Sequence, residues 1–152
     1  MVDFFQFEAF NPRGHFVRHR AFLGELTRKD EIVDDFAFSL VRRGQQSLVS
    51  LRSRNFPKRF LRHRDFRIRL EEPVGSGDQP FARDSTFFIE PGLADPKGVS
   101  FRSFNLRDHF IAHRGFQLFI AREDTPNLAQ HATFFQTRAP VIIDHGADLN
   151  PV

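Results

Sequence analysis

The sequence lacks cysteine, tyrosine and tryptophan, so its 21 phenylalanines supply every aromatic ring other than histidine. The absence of cysteine excludes disulfides, thiolate zinc sites and a cysteine nucleophile, and it removes the usual feature of a small secreted scaffold. Without tyrosine or tryptophan, no ring carries a hydroxyl or an indole donor. Natural drift and a systematic replacement of tyrosine by phenylalanine would both leave this composition.

Long hydrophobic runs are also missing. No apolar segment approaches the length that spans a bilayer, and the first residues offer no basic stretch followed by an apolar run. We therefore expect a soluble, untargeted chain with no membrane partner. Because the chain has no cysteine, its cysteine content does not indicate its cellular compartment. The 152 residues, 40% of them hydrophobic, suit one globular domain and exclude a disordered tail.

Neither sign of charge dominates. The net charge is only +3, although the sequence pI is about 10.1. Because tyrosine and cysteine are absent, few groups titrate between the histidine and lysine ranges. The high pI therefore reflects missing titratable groups, and it favours a polyanionic partner only weakly.

What the chain does contain is an internal repeat. Each copy has an Asn, a Phe five positions later, an aliphatic residue and then the phrase His-Arg-x-Phe. The three copies align without a gap at residues 7–26, 51–70 and 101–120, and a second similar block follows each at residues 34–44, 83–92 and 130–140. With a unit of roughly 50 residues, the repeats cover about 1–45, 46–95 and 96–143, and a tail covers 144–152.

The local pattern predicts an all-β chain. Its apolar runs are short and are broken by turn residues such as Asn-Pro, Pro-Gly and Asp-Pro, and no window has a convincing helical stripe. About four strands fit each unit at ordinary strand and loop lengths. Three such units favour a β-trefoil over a three-bladed propeller, which has fewer blades than propellers usually need. Residues 141–143 are expected to form a closing strand.

Two phrases of the second repeat carry a family resemblance. They are RNFPKRFLRHRDFRIRL and, after a connector, ARDSTFFIEPGLADPKGVSFRSFN. They resemble the AbfB domain, the arabinose-binding module (carbohydrate-binding module family 42) of α-L-arabinofuranosidases, and the likeness extends over residues 4–139. It implies a β-trefoil that binds arabinofuranosyl side chains of arabinoxylan or arabinan and catalyses nothing itself. Relatives in this family are typically secreted.

The resemblance also implies where sugar would bind. In the family, each pocket uses the His of the Arg-His phrase and the Asp that opens the later block. This chain offers His63 with Asp84 and His19 with Asp35, whereas His131 stands in place of the Asp beside His113. A second departure is that Phe16, Phe60 and Phe110 stand where the family commonly has Tyr, and the loss of that hydroxyl would weaken binding.

These residue types suit a neutral sugar. A carboxylate accepts two hydroxyls and an imidazole donates, and hydrogen bonds to a carboxylate contribute about 1.5–3 kcal/mol. We therefore expect His63 and Asp84 to form the best pocket and the third pocket to be weak or empty. The alternative is structural, since such a His can bond a turn carbonyl and an Asp can begin a strand.

Other functions are less well supported. The pairs His15/His19 and His109/His113 have helical metal-site spacing but lie on predicted strands, where the side chains would be about 13 Å apart, so we expect no metal and no cofactor. The basic stretch 51–69 could contact nucleic acid, but a salt-bridged strand face is favoured. We expect a monomer. A protein-interaction or structural scaffold with decayed sugar sites, Tyr-free by design or by drift, remains the alternative function.

The phenylalanines of the repeated phrases are expected to lie in the core. They are at positions 16, 22, 60, 66, 110 and 116.

Overall fold

The computed structural model describes residues 2–141, and these form an all-β protein, as predicted. Twelve strands join in one sheet. They are β1 Phe5–Ala9, β2 Phe16–Arg20, β3 Leu23–Thr27, β4 Phe38–Arg43, β5 Gln45–Ser53, β6 Phe60–Arg64, β7 Arg67–Glu71, β8 Phe87–Pro91, β9 Val99–Ser103, β10 His109–Arg114, β11 Gln117–Arg122 and β12 Phe134–Arg138. Val141 is not in a strand, and the rest of the expected closing strand and the tail lie outside the described residues.

Six strands close on themselves. Strand β1 pairs with β12, β12 with β9, β9 with β8, β8 with β5, β5 with β4, and β4 returns to β1. All of these pairings are antiparallel, including those between strands that are far apart in the chain. A closed ring has no free strand edge, so this part of the sheet presents no template for pairing with another chain.

The other six strands form three hairpins, β2–β3, β6–β7 and β10–β11. Their second strands pair with one another in a triangle, through β3–β7, β7–β11 and β3–β11. The hairpin tips interlock in the same cyclic order, because the carbonyl oxygens of Phe22, Phe66 and Phe116 accept hydrogen bonds from the backbone N–H groups of Leu70, Ile120 and Leu26. Each hairpin is therefore held by its two neighbours.

Aliphatic and phenylalanine side chains from all three repeats fill the space between the ring and the hairpins. Phe38, Phe87 and Phe134, which hold the same place in the three second blocks, are fully buried. Leu26, Leu70 and Ile120 of the hairpins pack into the same cluster. The repeat of the sequence is thus a repeat of core positions.

Three short helical segments were not predicted. They are a 3₁₀ turn at Val33–Phe36, α1 at Gln79–Asp84 and α2 at Leu128–His131, each lying between the third and fourth strands of its repeat. Segments this short give no helical periodicity in a sequence. As a result, Asp84 and His131 end helices rather than begin strands. Within residues 2–141, no helix has the length and hydropathy needed to cross a membrane.

Of the six repeated phenylalanines predicted to lie in the core, Phe110 alone is fully buried in a core cluster. Phe16 and Phe60 are half-buried, and Phe22, Phe66 and Phe116 are 38%, 53% and 53% exposed. These last three lie in the hairpin turns, where their φ angles are 60°, 65° and 62°. A turn of this type puts the side chain at the tip of the hairpin, outside the packed interior.

Candidate functional site

Residues from two successive repeats assemble the first pocket. His19 lies on β2, Asp35 in the 3₁₀ turn, and Asn55 just after β5. His19 Nε2 is 2.9 Å from Asn55 Oδ1 and 3.5 Å from Asp35 Oδ1, and Asn55 Nδ2 donates to Asp35 Oδ1 at 2.9 Å. The three polar groups therefore form a closed triangle, in which the asparagine comes from the following repeat.

The second pocket repeats this triangle. His63 lies on β6, Asp84 at the end of α1, and Asn105 just after β9. His63 Nε2 is 2.8 Å from Asn105 Oδ1 and 3.6 Å from Asp84 Oδ1, and Asn105 Nδ2 donates to Asp84 Oδ1 at 2.8 Å. The structure thus brings together both His–Asp pairs that the sequence analysis selected.

A largely buried arginine donates a hydrogen bond to each of the two aspartates. Arg18, almost fully buried, donates from Nη2 to Asp35 and from Nη1 to Asp30, both at 2.7 Å. Arg62 takes the same part in the second pocket, where it bonds Asp84 and reaches Glu71 at 3.4 Å. A guanidinium is a rigid double donor, so each carboxylate is held in one orientation.

The hydrogen-bond directions decide which groups are free. Because the amide nitrogen of Asn55 donates to Asp35, its amide oxygen faces His19 and accepts the proton on Nε2. Burial lowers the pKa of His19, and the bond to Asn55 opposes that shift only partly. The imidazole proton is therefore engaged within the protein, and the groups left for a ligand are the remaining lone pairs of the carboxylate and the second amide N–H of Asn55.

Asn55 and Asn105 are site residues that the sequence analysis missed. Their recurrence is visible in the sequence, since they are the Asn residues that begin the repeated pattern in the second and third copies. Ser53 and Ser103, two positions earlier, donate to their amide oxygens at 2.9 and 3.1 Å. The signal was present, but the sequence does not say that the loop of one repeat lies against the histidine of the repeat before it.

The mouth of the first pocket is partly apolar. A cavity of about 250 Å³ is bounded by His19 and Asp35 on one side and by Phe22, Ile32 and Phe56 on the other. The Phe56 ring makes T-shaped contacts with both His19 and Phe22, with centroid separations of 5.5 and 5.1 Å. The pocket thus joins a polar cluster to exposed aromatic surface, an arrangement common in small-ligand sites.

The third pocket has a different composition. His113 is present, but its Nε2 donates to the backbone oxygen of Asn11 at 2.7 Å, and its ring lies 4.8 Å from that of His131. Ala112 occupies the place of Arg18 and Arg62. Burial lowers the pKa of His113, and the neighbouring His131 lowers it further. The carboxylate and the guanidinium of the first two pockets are both missing here.

The histidines that share helical metal-site spacing face different partners. His15 packs against Phe116, and His19 belongs to the first pocket. In the part of the chain that the structure describes, no three His, Asp or Glu side chains are grouped so that they could hold a metal. The basic stretch 51–69 is partly neutralised, since Arg54 pairs with Asp34 while Arg62 and Arg64 both pair with Glu71.

Solved structures with the same fold include two that hold a bound saccharide and one described as a β-trefoil. An arabinofuranosidase complexed with arabinofuranosyl-α-1,2-xylobiose superimposes with a TM-score of 0.81 at 16% identity, over 91% of this chain and 31% of that one. The BEL β-trefoil gives 0.68 at 15% identity, over 90% and 92% of the two chains. SeviL bound to the asialo-GM1 saccharide gives 0.68 at 8% identity, over 92% and 100%. This chain thus spans about a third of the length of the arabinofuranosidase.

A family profile gives the most direct assignment. No curated protein sequence matches the chain. The profile of the alpha-L-arabinofuranosidase B (ABFB) domain, however, matches residues 6–136, which include all three pockets. This confirms the resemblance that the repeated phrases carry. The chain belongs to the ABFB domain family, the carbohydrate-binding domains of arabinofuranosidases.

Proposed function

We propose that this domain is a non-catalytic binding module that recognises arabinofuranosyl side chains of arabinoxylan or arabinan. The observation that carries the proposal is the triangle of His, Asp and Asn, which recurs with the same contacts around His19 and His63. A constellation built twice from separate segments of chain points to a shared ligand. The two pockets are the binding sites in this proposal.

The proposal includes a β-trefoil of three pseudosymmetric, four-stranded repeats over residues 1–152. The closed ring of six strands and the triangle of three hairpins support it over a propeller, in which each blade is a separate sheet around a channel. The likeness to the BEL β-trefoil supports it independently. In such a layout, the three pockets lie at equivalent junctions between successive repeats.

The chemistry of the triangle suits a neutral furanose. Asp35 and Asp84 retain lone pairs that can accept two sugar hydroxyls, and the second amide N–H of Asn55 or Asn105 can donate to a third oxygen. Hydrogen bonds to a carboxylate are the stronger kind, contributing about 1.5–3 kcal/mol. Phe22 and Phe56 supply a small apolar wall for the ring carbons in the first pocket. The histidine acts by holding the asparagine in place.

The carboxylates of the first pocket support binding rather than hydrolysis. Most glycosidases use two carboxyl groups that flank the bond to be cleaved. Among the described residues that line the first pocket, Asp35 is the one carboxylate. The likeness to an arabinofuranosidase whose structure holds arabinofuranosyl-α-1,2-xylobiose supports a glycan with arabinose branches as the partner. We propose that the domain acts as a monomer and does not bind nucleic acid or membranes.

Affinity electrophoresis in arabinoxylan tests the proposal. The wild-type domain should be retarded, and Asp84→Asn should reduce the retardation because it removes the charge and one acceptor from the second pocket. Glu72→Gln is the matched control, since Glu72 is an exposed carboxylate of the same repeat that makes no ion pair among the described residues.

Two results would contradict the proposal. One is equal retardation of the wild-type domain by arabinoxylan and by unbranched xylan. The other is no retardation of a folded domain by any arabinose-bearing polymer, which would favour the scaffold function instead. Retardation by DNA that fades steeply with salt would show a polyanion site in its place.

A further inference from the structure

The third pocket opens onto a cavity of about 450 Å³, larger than the cavity of about 250 Å³ in the first pocket. Its volume is within the size range of small-molecule sites. The cavity exists because three charged residues of the second pocket have small or neutral counterparts in the third. Ala112 stands in the place of Arg62, Ala121 in the place of Glu71, and His131 in the place of Asp84.

The walls of this cavity are apolar. Phe66 comes from the neighbouring hairpin, Phe119 from β11, and Pro126 and Leu128 from the segment that leads into α2. Ala112 closes the inner end, where it packs with Leu128 in a small buried cluster. A furanose has little apolar surface to place against such walls, whereas an aromatic ring has the apolar surface to contact them.

The mouth of the cavity is polar and carries an unpaired cation. His113 and His131 lie at one side, and His131 makes no side-chain hydrogen bond within residues 2–141. Arg114 lies at the rim, with its guanidinium 4.9 Å from the centre of the Phe119 ring.

Arg114 differs from its counterparts in the other repeats. Arg20 pairs with Glu25 and Arg64 with Glu71, whereas the described chain offers Arg114 no acidic partner. The other arginine at the rim, Arg122, is paired with Asp108 and Asp124. The mouth therefore has one free guanidinium and one free imidazole, both of which can donate to a carboxylate.

We propose that the third pocket binds an aromatic carboxylate rather than arabinose. The ring would lie between Phe66, Phe119 and Leu128, and the carboxylate would accept hydrogen bonds from Arg114 and His131. This inference does not depend on sugar binding in the first two pockets, because it rests on different residues and a different ligand chemistry.

Titration with benzoate, followed by ¹H–¹⁵N and methyl NMR, tests the proposal. We expect saturable shifts of Ala112, Leu128 and His131, no such shifts with acetate, which lacks the ring, and none with arabinose. Arg114→Ala should weaken benzoate binding severalfold, whereas Arg64→Ala, at the same place in the second repeat, should not change it.

The double variant Ala112→Arg/His131→Asp rebuilds the charged pair of the other two pockets and fills the cavity. It should abolish benzoate binding while the NMR spectrum of the closed six-stranded ring remains that of the folded domain. Unsaturable shifts with benzoate, shifts that survive in this variant, or equal shifts with acetate would each overturn the proposal. If this variant does not fold, Ala112→Leu fills the same space without a charge and should also abolish benzoate binding.

Discussion

Asn55 donates a hydrogen bond to Asp35 across the junction between two repeats, at 2.9 Å from Nδ2 to Oδ1. The bond orients the carboxylate and, by directing the amide oxygen to His19, engages the imidazole proton as well. One asparagine therefore organises the polar triangle of the first pocket. Asn105 stands in the same relation to Asp84 and His63.

Replacing this asparagine should cost both stability and binding. In Asn55→Ala, Asp35 and His19 each lose a hydrogen-bond partner at a largely buried site. We therefore expect a loss of about 1–3 kcal/mol in the free energy of unfolding. Urea denaturation measures it, and calorimetry should show sugar binding lost at one pocket. Gln45→Ala, an exposed change on β5, is the control and should alter neither quantity. Unchanged sugar binding by folded Asn55→Ala would rule out the organising role.

Arg18 and Asp35 should be strongly coupled. Arg18 is 2% exposed and pairs with both Asp30 and Asp35. Arg18→Ala should destabilise the domain by about 3 kcal/mol, because the largely buried Asp35 loses its charged partner, whereas Asp30 is exposed enough to be solvated. The third repeat has Ala and His at these two places. The double variant Arg18→Ala/Asp35→His should accordingly cost less than the sum of the two single changes. Additive losses in urea denaturation would contradict this coupling.

Stability should fall as the pH falls from 7 to 5. Burial lowers the pKa of His19 and of His113 below the ordinary value of 6.5, so the unfolded chain binds protons that the folded chain does not. That difference destabilises the fold as the pH drops through 6.5 toward the folded pKa values.

The pKa values of some carboxylates, such as those of Glu8 and Asp30, are lowered by the fold. Their protonation lowers the free energy of unfolding in a more acidic pH range, below the ordinary pKa values of 4.5 and 3.8. His113→Gln should flatten the fall between pH 7 and 5 in urea denaturation. It should leave the behaviour below pH 4.5 unchanged. A wild-type domain whose free energy of unfolding is constant from pH 7 to 5 would show that these imidazoles are not held neutral by the fold.

Two substitutions at the hairpin tips should have opposite effects on the free energy of unfolding. Ala21 and Gly115 occupy the same turn position, with φ angles of 53° and 58°. Gly115→Ala should destabilise the domain by about 1 kcal/mol, and the cost is purely conformational because a Cβ there would meet nothing within 4 Å. Ala21→Gly should stabilise it by up to about 1 kcal/mol. Thermal denaturation measures both, and changes of the same sign would show that contacts, not backbone strain, decide stability at this position.

The repeats and their core were predictable because they depend on local patterns. The recurrence of the second block at residues 34–44, 83–92 and 130–140 and the short apolar runs indicated the strands without any knowledge of the fold. The pairing of His63 with Asp84 came from the family resemblance. Their role in binding sugar stays a prediction.

What was not predictable depends on contacts between repeats. The asparagine of one repeat completes the triangle of another only when the chain closes, and no local pattern indicates that. The exposed position of Phe66 follows from a backbone turn with positive φ, where Gly or Asn is the usual residue. The cavity beside Ala112 likewise appears only when Phe66 of the neighbouring hairpin forms its wall.

The stoichiometry of sugar binding tests the central claim most directly. Isothermal titration calorimetry with an arabinofuranosyl-substituted xylo-oligosaccharide should give two sites per chain for the wild-type domain. One site should remain after either Asp35→Asn or Asp84→Asn. Three equivalent sites, or two sites that persist when both aspartates are replaced in a folded domain, would contradict the assignment of binding to the His–Asp–Asn triangles.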